Sequence, residues 1–379
     1  MAIPVKLKKA ILKLIPYTIV RFTIKYININ FLYFGTAKKN TGEYLLRDCK
    51  NAFTCYDMED ALGPEVVDGF KKRFEDYKKH EGFLCEYILT CTDCIIEPVY
   101  GWGITAKNEL IFDSISNNSW IETYHPAWVA YKKNKNKAVY YPEIISIRLI
   151  KGGEKNYWHF LHDLLGQVAL ARQNKIDAPI LISKAFSERG FFKMALQKSA
   201  VLASAKWIIQ DKQYIKAGKA YFLQTKPNSM KQFFGVLDLL EVANSDKETK
   251  RKIFLTRNKS RIRFLNNSSR IEKIAQQYGF EIIDADTLSF PEQIQLFGET
   301  AYLIGIHGAG LTNVIFRLNA PLTVFELLPK DYIEPHYFWL AKGMGHKYLC
   351  QVGTKSGLDS SFEVDEKEFE NNIQIMNKL

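Results

Sequence analysis

The chain has 379 residues, enough for two or three domains at roughly 100–200 residues each. With 47% apolar and 25% charged residues its composition is globular, which excludes disordered and collagen-like chains and allows a large core without staples. The net charge of +11 is uneven: residues 1–40 hold eight cations (Lys6, Lys8, Lys9, Lys13, Arg21, Lys25, Lys38 and Lys39) and no acid, leaving +3 on the rest, so the balance does not describe a nucleic-acid binder.

Apolar Leu7, Ala10, Ile11, Leu14 and Ile15 recur at helical spacing, with Lys6, Lys9 and Lys13 towards the other side and Pro16 ending the run. The following stretch to Phe34 is apolar but carries Arg21 and Lys25, so no uncharged run reaches the roughly 18 residues of a spanning helix. Neither an unbroken apolar core nor a small-x-small cleavage site marks a signal peptide. Residues 1–40 are therefore expected to lie as a basic amphipathic segment on an anionic membrane surface.

Residues 42–80 read as a helical, charged connector, and residues 87–115 as short β-rich runs with turns at Gly101, Gly103 and Lys107-Asn108. Five of six cysteines (Cys49, Cys55, Cys85, Cys91 and Cys94) fall in this region. Six are too few for a disulfide scaffold of this length, and zinc through Cys91 and Cys94 would want a second such pair, so reduced thiols are expected. Sequons at Asn117, Asn258, Asn266 and Asn267 lie mostly in the region read below as phosphate-binding, where sugars would block the site. Both points favour a cytoplasmic, membrane-peripheral location.

Residues 145–150 predict a strand, 157–171 a helix, 178–182 a buried strand, and 195–209 a helix then a strand. Lys252–Thr256 predicts a strand, followed by the basic segment Arg257–Arg263. Ser269-x-x-Glu272 is a capping-box pattern before a helix that stops at Gly279. Phe280–Ile283 is the next strand, Ser289-x-x-Glu292 opens a helix through Phe297, and Ala301–Ile306 is a buried strand running into His307-Gly308-Ala309-Gly310. Leu322–Leu327 is another strand, and Asp365-x-x-Glu368 opens a last helix with Phe369, Ile373 and Met376 on one face. The alternation predicts an α/β fold with a parallel, doubly wound sheet.

In such a sheet ligands gather outside the carboxyl ends of the strands. There the sequence sets His307-Gly308-Ala309-Gly310-Leu311-Thr312-Asn313 at a helix start, where glycines permit close approach and free N–H groups attract an anion. Arg257, Lys259, Arg261 and Arg263 follow another strand, suited to phosphate oxygens, and Glu326 ends a third, suited to a ribose hydroxyl pair. Together they predict a nucleotide-diphosphate site. In the first half, His159 and Asp163 are i and i+4 on a helix and can act as a hydrogen-bonded pair or a general base. Metal binding through His159, His162 and Asp163 lacks a completing motif.

Asn156–Asp163 (NYWHFLHD), Arg257 with Arg261 and Arg263, Gln293, Ala301–Asn313 (AYLIGIHGAGLTN) and Glu326 with Pro329 resemble, in order, glycosyltransferase family 61 over roughly residues 85–352. The chain departs from the pattern at Leu164-Leu165-Gly166, where a proline is often found. The resemblance implies a GT-B-like fold: two Rossmann-like lobes with parallel sheets and an active-site cleft between them. The expected division is 41–225 as acceptor lobe, 226–355 as donor lobe and 356–379 as a C-terminal helix. It implies an inverting, metal-independent transfer, with no cofactor required, from a nucleotide-sugar donor, UDP-linked, to a glycan or lipid-linked glycan acceptor in surface or capsular polysaccharide synthesis. Asp163 would be the base with His159 orienting it, or His159 the base itself. Arg257, Arg261, residues His307 to Asn313 and Glu326 would hold the donor. The alternatives are a transferase of a CMP-linked sugar acid, with fewer charges to offset, and a non-catalytic nucleotide-sugar-binding membrane subunit.

Overall fold

The computed structural model describes residues 37–39, 41–49, 57–58, 62–79, 85–115, 128–147, 153–225, 229–242, 250–257, 263–318, 320–355 and 361–379. The amphipathic segment expected before residue 37 lies outside them, as do Lys259 and Arg261.

Among the described residues the first half builds nine strands: β1 Ala37–Lys38, β2 Glu43–Asp48, β3 Glu86–Ile96, β4 Gly103–Ile104, β5 Leu110–Ile111, β6 Val139–Ser146, β7 Ile180–Ser183, β8 Trp207–Gln210 and β9 Ile215–Gln224. Their order is β1-β5-β4-β3-β9-β6-β7-β8, with β2 also on β3. The expectation of two parallel sheets is corrected here. The first sheet is mixed, because the long β3 runs antiparallel to β9, β2 and β4, while β6, β7, β8 and β9 pair in parallel.

The second half matches the doubly wound pattern. β10 Arg251–Leu255, β11 Glu281–Ile283, β12 Thr300–Ile306, β13 Thr323–Pro329 and β14 Lys347–Lys355 are parallel in the order β11-β10-β12-β13-β14, and β15 Phe362–Glu363 closes the edge antiparallel to β14. Alternation along the strands covers both faces. Ile253, Leu303 and Val324 face the core shared with the first half. Phe254, Ile304 and Phe325 face a second core with Ile271 and Ala275, and with Phe369, Ile373 and Met376 of the last helix.

The helices that matter for the cleft are α1 Pro64–Lys78, α2, α3 Gly190–Lys198, α4 Met230–Leu239, α5 Ser268–Gln277, α6 Phe290–Glu299, α7 His336–Gly343 and α8 Glu366–Met376. Helix α2 is continuous through Tyr157–His159, Phe160–Leu165 and Gly166–Gln173, and its middle six residues form a π turn. Sequence capping signals hold at α6, where Ser289 and Glu292 form the reciprocal box, and at α8, where Asp365 accepts from the Glu368 N–H at 2.8 Å. The box expected at Ser269 does not form: α5 begins at Ser268, and Glu272 instead accepts from the Thr256 hydroxyl at 2.6 Å.

Three further expectations change. The connector contains strand β2 as well as helix α1, because β2 finds its partner in β3 rather than in its neighbours. Helix α4 packs on α2, with Gly235 against Ala169 and Gln232 Nε2 donating to the His162 carbonyl at 2.6 Å, so this part of the chain past residue 225 belongs with the first sheet. Reduced thiols do not hold throughout: the β2–β3 register pairs Asp48 with Glu86, which brings Cys49 and Cys85 together in a disulfide. Cys91 and Cys94 are buried thiols on β3, and burial pushes the Cys91 thiol up to about 11.

Candidate active site

A cleft of about 1040 Å³ opens between the two sheets, at the upper end of ligand-site volumes. Its floor on the second-sheet side is a topological switch point. The chain leaves β10 for β11 on one flank, then crosses to β12 on the other, so the loops after β10 and β12 diverge at adjacent strand ends. Arg257 follows β10 and His307 follows β12, and both line the cleft with Arg263, Ala309 and Gly310.

Gly308 carries the close approach that its residue type suggested. A Cβ there would fall 1.9 Å from Arg257 Nη1, so the guanidinium lies on the bare backbone of the glycine loop. The following turns, Ala309–Phe316, are a 3₁₀-helix. Arg263 sits at φ 61°, the left-handed region, with its guanidinium 4.9 Å from the centre of the Tyr332 ring.

The side chains of Leu311, Thr312, Asn313 and Glu326 do not reach the cleft; all four are fully buried. Glu326 is in no position to take ribose hydroxyls, because Oε1 accepts from His307 Nδ1 at 2.6 Å and Oε2 accepts from the Tyr348 hydroxyl. Asn313 joins the two sides instead: it accepts from the Tyr157 hydroxyl at 2.8 Å and donates to Gln293 Oε1 at 3.0 Å. Gln293 in turn donates to the carbonyls of Ala285 and Leu288.

The opposite wall is helix α2. Asn156 caps it by accepting from the Trp158 N–H at 2.9 Å. Within the π turn, Asp163 Oδ2 accepts from His159 Nδ1 and Oδ1 from His162 Nδ1, each at 2.7 Å. π turns of this kind recur at functional sites. Burial works to raise the Asp163 pKa, but the contacts with His159 and His162 outweigh it and hold the carboxyl well below its ordinary range. An ionised carboxylate only accepts, so both imidazoles carry their proton on Nδ1. For His159, burial lowers the pKa, and Asp163 with Glu154 overcomes that, leaving it raised. Trp158 stacks on His162 at 4.9 Å, and Gly153 lies so close to His159 that a Cβ would stand 3.2 Å from its ring. Among the described residues no group of three or more His, Cys, Asp or Glu side chains could hold a metal ion.

Part of the cleft escaped the sequence reading. Arg73, Tyr77 and Lys79, from α1 and its end, line it, and α1 reaches across to α7. Phe70 packs on Phe338 at 5.3 Å and Phe74 meets Trp339 at 5.8 Å. Arg73 pairs with the buried Glu334, whose other oxygen accepts from the Tyr77 hydroxyl at 3.0 Å. His336 lies 3.2 Å from the same hydroxyl, and burial together with the charges of His307, His162 and His159 lowers its pKa to about 3, so it is neutral. Residues 332–336 follow the carboxyl end of β13, the position the switch-point argument favours, and were legible on that ground. Arg73 had no such signal, since its partner lies 261 residues away.

The fold and the cleft are those of a Rossmann-like α/β protein with polar side chains gathered at its switch point. Residues 157–325 match the family model described as Glycosyltransferase 61, a span that starts at α2 and runs through the glycine loop. That stretch is a little under half of the chain's length, and over it the chain is similar to that family. It is also similar to a beta-1,2-xylosyltransferase of Arabidopsis thaliana, 31% identical over 61 residues, an alignment covering 16% of this chain and 11% of that relative.

Proposed function

We propose that the protein is an inverting glycosyltransferase of GT-B type, its two sheets acting as the two lobes. It moves a sugar from a UDP-linked donor to a glycan or lipid-linked glycan in surface or capsular polysaccharide synthesis. The observation that carries this reading is the pairing, across one cleft, of a carboxylate-oriented imidazole cluster with a basic, glycine-lined switch point. The diphosphate lies on the Gly308–Gly310 backbone beside Arg257, His307 and Arg263; Arg261, outside the described residues, is kept as a further phosphate contact on the sequence alone. These groups offset the charge that develops on the leaving nucleotide without calling on a metal.

The geometry favours His159 over Asp163 as the base. Both oxygens of Asp163 are engaged and its basicity is suppressed, whereas His159 Nε2 remains for the acceptor hydroxyl. Asp163 then orients the ring and stabilises the imidazolium, as a buried carboxylate does behind a catalytic histidine. The hydroxyl oxygen attacks the anomeric carbon, its proton passes to Nε2, and the bond to the phosphate oxygen breaks on the far face, inverting the centre.

Incubating the purified protein with UDP-hexoses, UDP-xylose and CMP-linked acids tests this. Slow hydrolysis of one UDP-sugar with release of UDP is the expected result. UDP binding without turnover, with or without glycan acceptors, would leave a non-catalytic binding subunit. Turnover of the CMP donors alone would overturn the diphosphate assignment.

Residues 1–40 are proposed to seat the protein on anionic lipid; deleting residues 1–34 should abolish flotation with anionic vesicles and leave donor hydrolysis intact. The Cys49–Cys85 bond favours an oxidising compartment over the cytoplasmic face, because such bonds persist where thiol buffers do not reduce them. Alkylating cells before lysis and running non-reducing gels reads the state of this pair.

A further inference from the structure

We infer that Glu326 is the positioning residue for His307, holding the ring by Nδ1 so that Nε2 faces the diphosphate of a nucleotide-sugar donor as a hydrogen-bond donor. The inference rests on the donor site proposed above and adds to it a role for a carboxylate that does not touch the ligand.

A carboxylate in the middle of a parallel sheet is costly unless it is paired. Glu326 is fully buried on β13, in register with Gly305 of β12 and Cys350 of β14. Among the described residues its partners are a tyrosine hydroxyl and one imidazole nitrogen. His307 is itself 3% exposed and lines the cleft, so with Nδ1 turned inward Nε2 is the nitrogen left for a ligand. Tyr337 and Tyr332 meet the ring edge-on at 5.0 and 5.3 Å and restrict its rotation. The result is a rigid ring with a buried anion on one nitrogen and the Arg257–Gly308 contact close by on the loop that follows it.

The charge on that ring is decided by everything packed around it. Glu326 sets its carboxylate against Nδ1. Facing the ring from the other elements are Arg257 and Arg263 beyond β10 and His159 and His162 on α2, while His336 on α7, Tyr332, Tyr337, Tyr348 and Cys350 are neutral there. A diphosphate at Nε2 places anions at both nitrogens and tips the balance to the doubly protonated ring. His307 then donates a charge-assisted hydrogen bond throughout bond cleavage; the electron pair of the breaking bond goes to the phosphate oxygen, and no proton leaves the ring.

Glu326→Gln separates charge from geometry, because the amide oxygen can still accept from Nδ1. UDP affinity measured by calorimetry from pH ~6 to ~9 should be weaker in the variant by about tenfold or more near neutrality. The ratio of the two dissociation constants should close towards one at the alkaline end when the doubly protonated ring carries the effect; the titration of UDP itself cancels in that ratio. A merely structural role predicts a lower melting temperature and a ratio that does not change with pH, and that result overturns the inference. Tyr348→Phe, which leaves the Nδ1 contact in place, should change UDP affinity less than about threefold. Should E326Q not fold, ¹⁵N spectra of histidine-labelled wild type decide, with His307 assigned from H307Q. Double protonation with UDP bound at neutral pH is expected, and a neutral ring protonated on Nε2 overturns the inference. Wild type that binds no UDP overturns the donor site itself, and this role with it.

Discussion

On the α2 side of the cleft the polar cluster is local: His159, His162 and Asp163 lie within five residues, and both imidazoles meet one carboxylate at the start of one π turn. On the second-sheet side the groups come from afar: Arg257, Arg263, His307 and His336 follow three different strands and meet because those strands end side by side. The first arrangement depends on one helix and its cap; the second depends on the register of the whole sheet. A local cluster tunes protons, since its neighbours set each pKa directly. A strand-end cradle suits an anion, since backbone approach at Gly308 and side chains from several loops converge on one point.

The sharpest way to break this contrast is Asp163→Asn. It should lower transfer by about 10²–10⁴-fold, the range of a lost acid–base function, and leave UDP affinity near wild type because the proposed donor site is on the other wall. A rate above about a tenth of wild type in a normally melting variant removes the role given to the cluster.

The same variant moves the pH profile. The raised His159 pKa places the acidic limb of the transfer rate above the ordinary histidine value, and loss of the carboxylate should move that limb down. Stability follows the opposite sign for His159. Its raised pKa contributes stability that is complete below the unfolded value and lost as pH rises through the folded one. The depressed Asp163 pKa contributes stability present above the ordinary carboxylate value and lost only as pH falls through the folded value. Rate and melting temperature recorded together from pH ~4 to ~9 check both directions.

Arg257→Ala tests the other wall and should weaken UDP by about 1.5–3 kcal/mol, with less effect on the pH profile of transfer. Gly308→Ala is its subtler counterpart. The backbone there is extended and accepts any residue, but the added methyl must displace the guanidinium, so UDP affinity should fall by up to the same amount with the melting temperature nearly unchanged. Unchanged calorimetry for both would remove the cradle. The smallest catalytic effect is expected from Cys49→Ser, which opens a 36-residue separation whose two cysteines do not line the cleft. It should cost about 2–4 kcal/mol of stability and little turnover, read from melts and rates with and without reductant.

How much of this was legible follows the same division. The α2 cluster was readable because its chemistry is helical spacing, and the glycine loop because a buried strand running into glycines marks a strand end. Even so, the surroundings of these residues were not readable: that both Asp163 oxygens are engaged by imidazoles, and that Glu326 is buried on a strand between two others, appear only in the fold. The contribution of α1 was hidden, because Arg73 and Tyr77 on an amphipathic helix resemble any solvated face until Glu334 is brought against them.

By itself the sequence determined the α/β alternation of the second half, the caps of α6 and α8, and the two motifs that face each other, since propensity, capping and periodicity act over a few residues. The tertiary structure alone decided the mixed pairing of the first sheet, the Cys49–Cys85 bond, the crossing of α1 to α7, and which motif residues face the cleft rather than the core. Those depend on strand register and on contacts between segments up to 261 residues apart, and no local preference encodes the partner on the far side of such a contact.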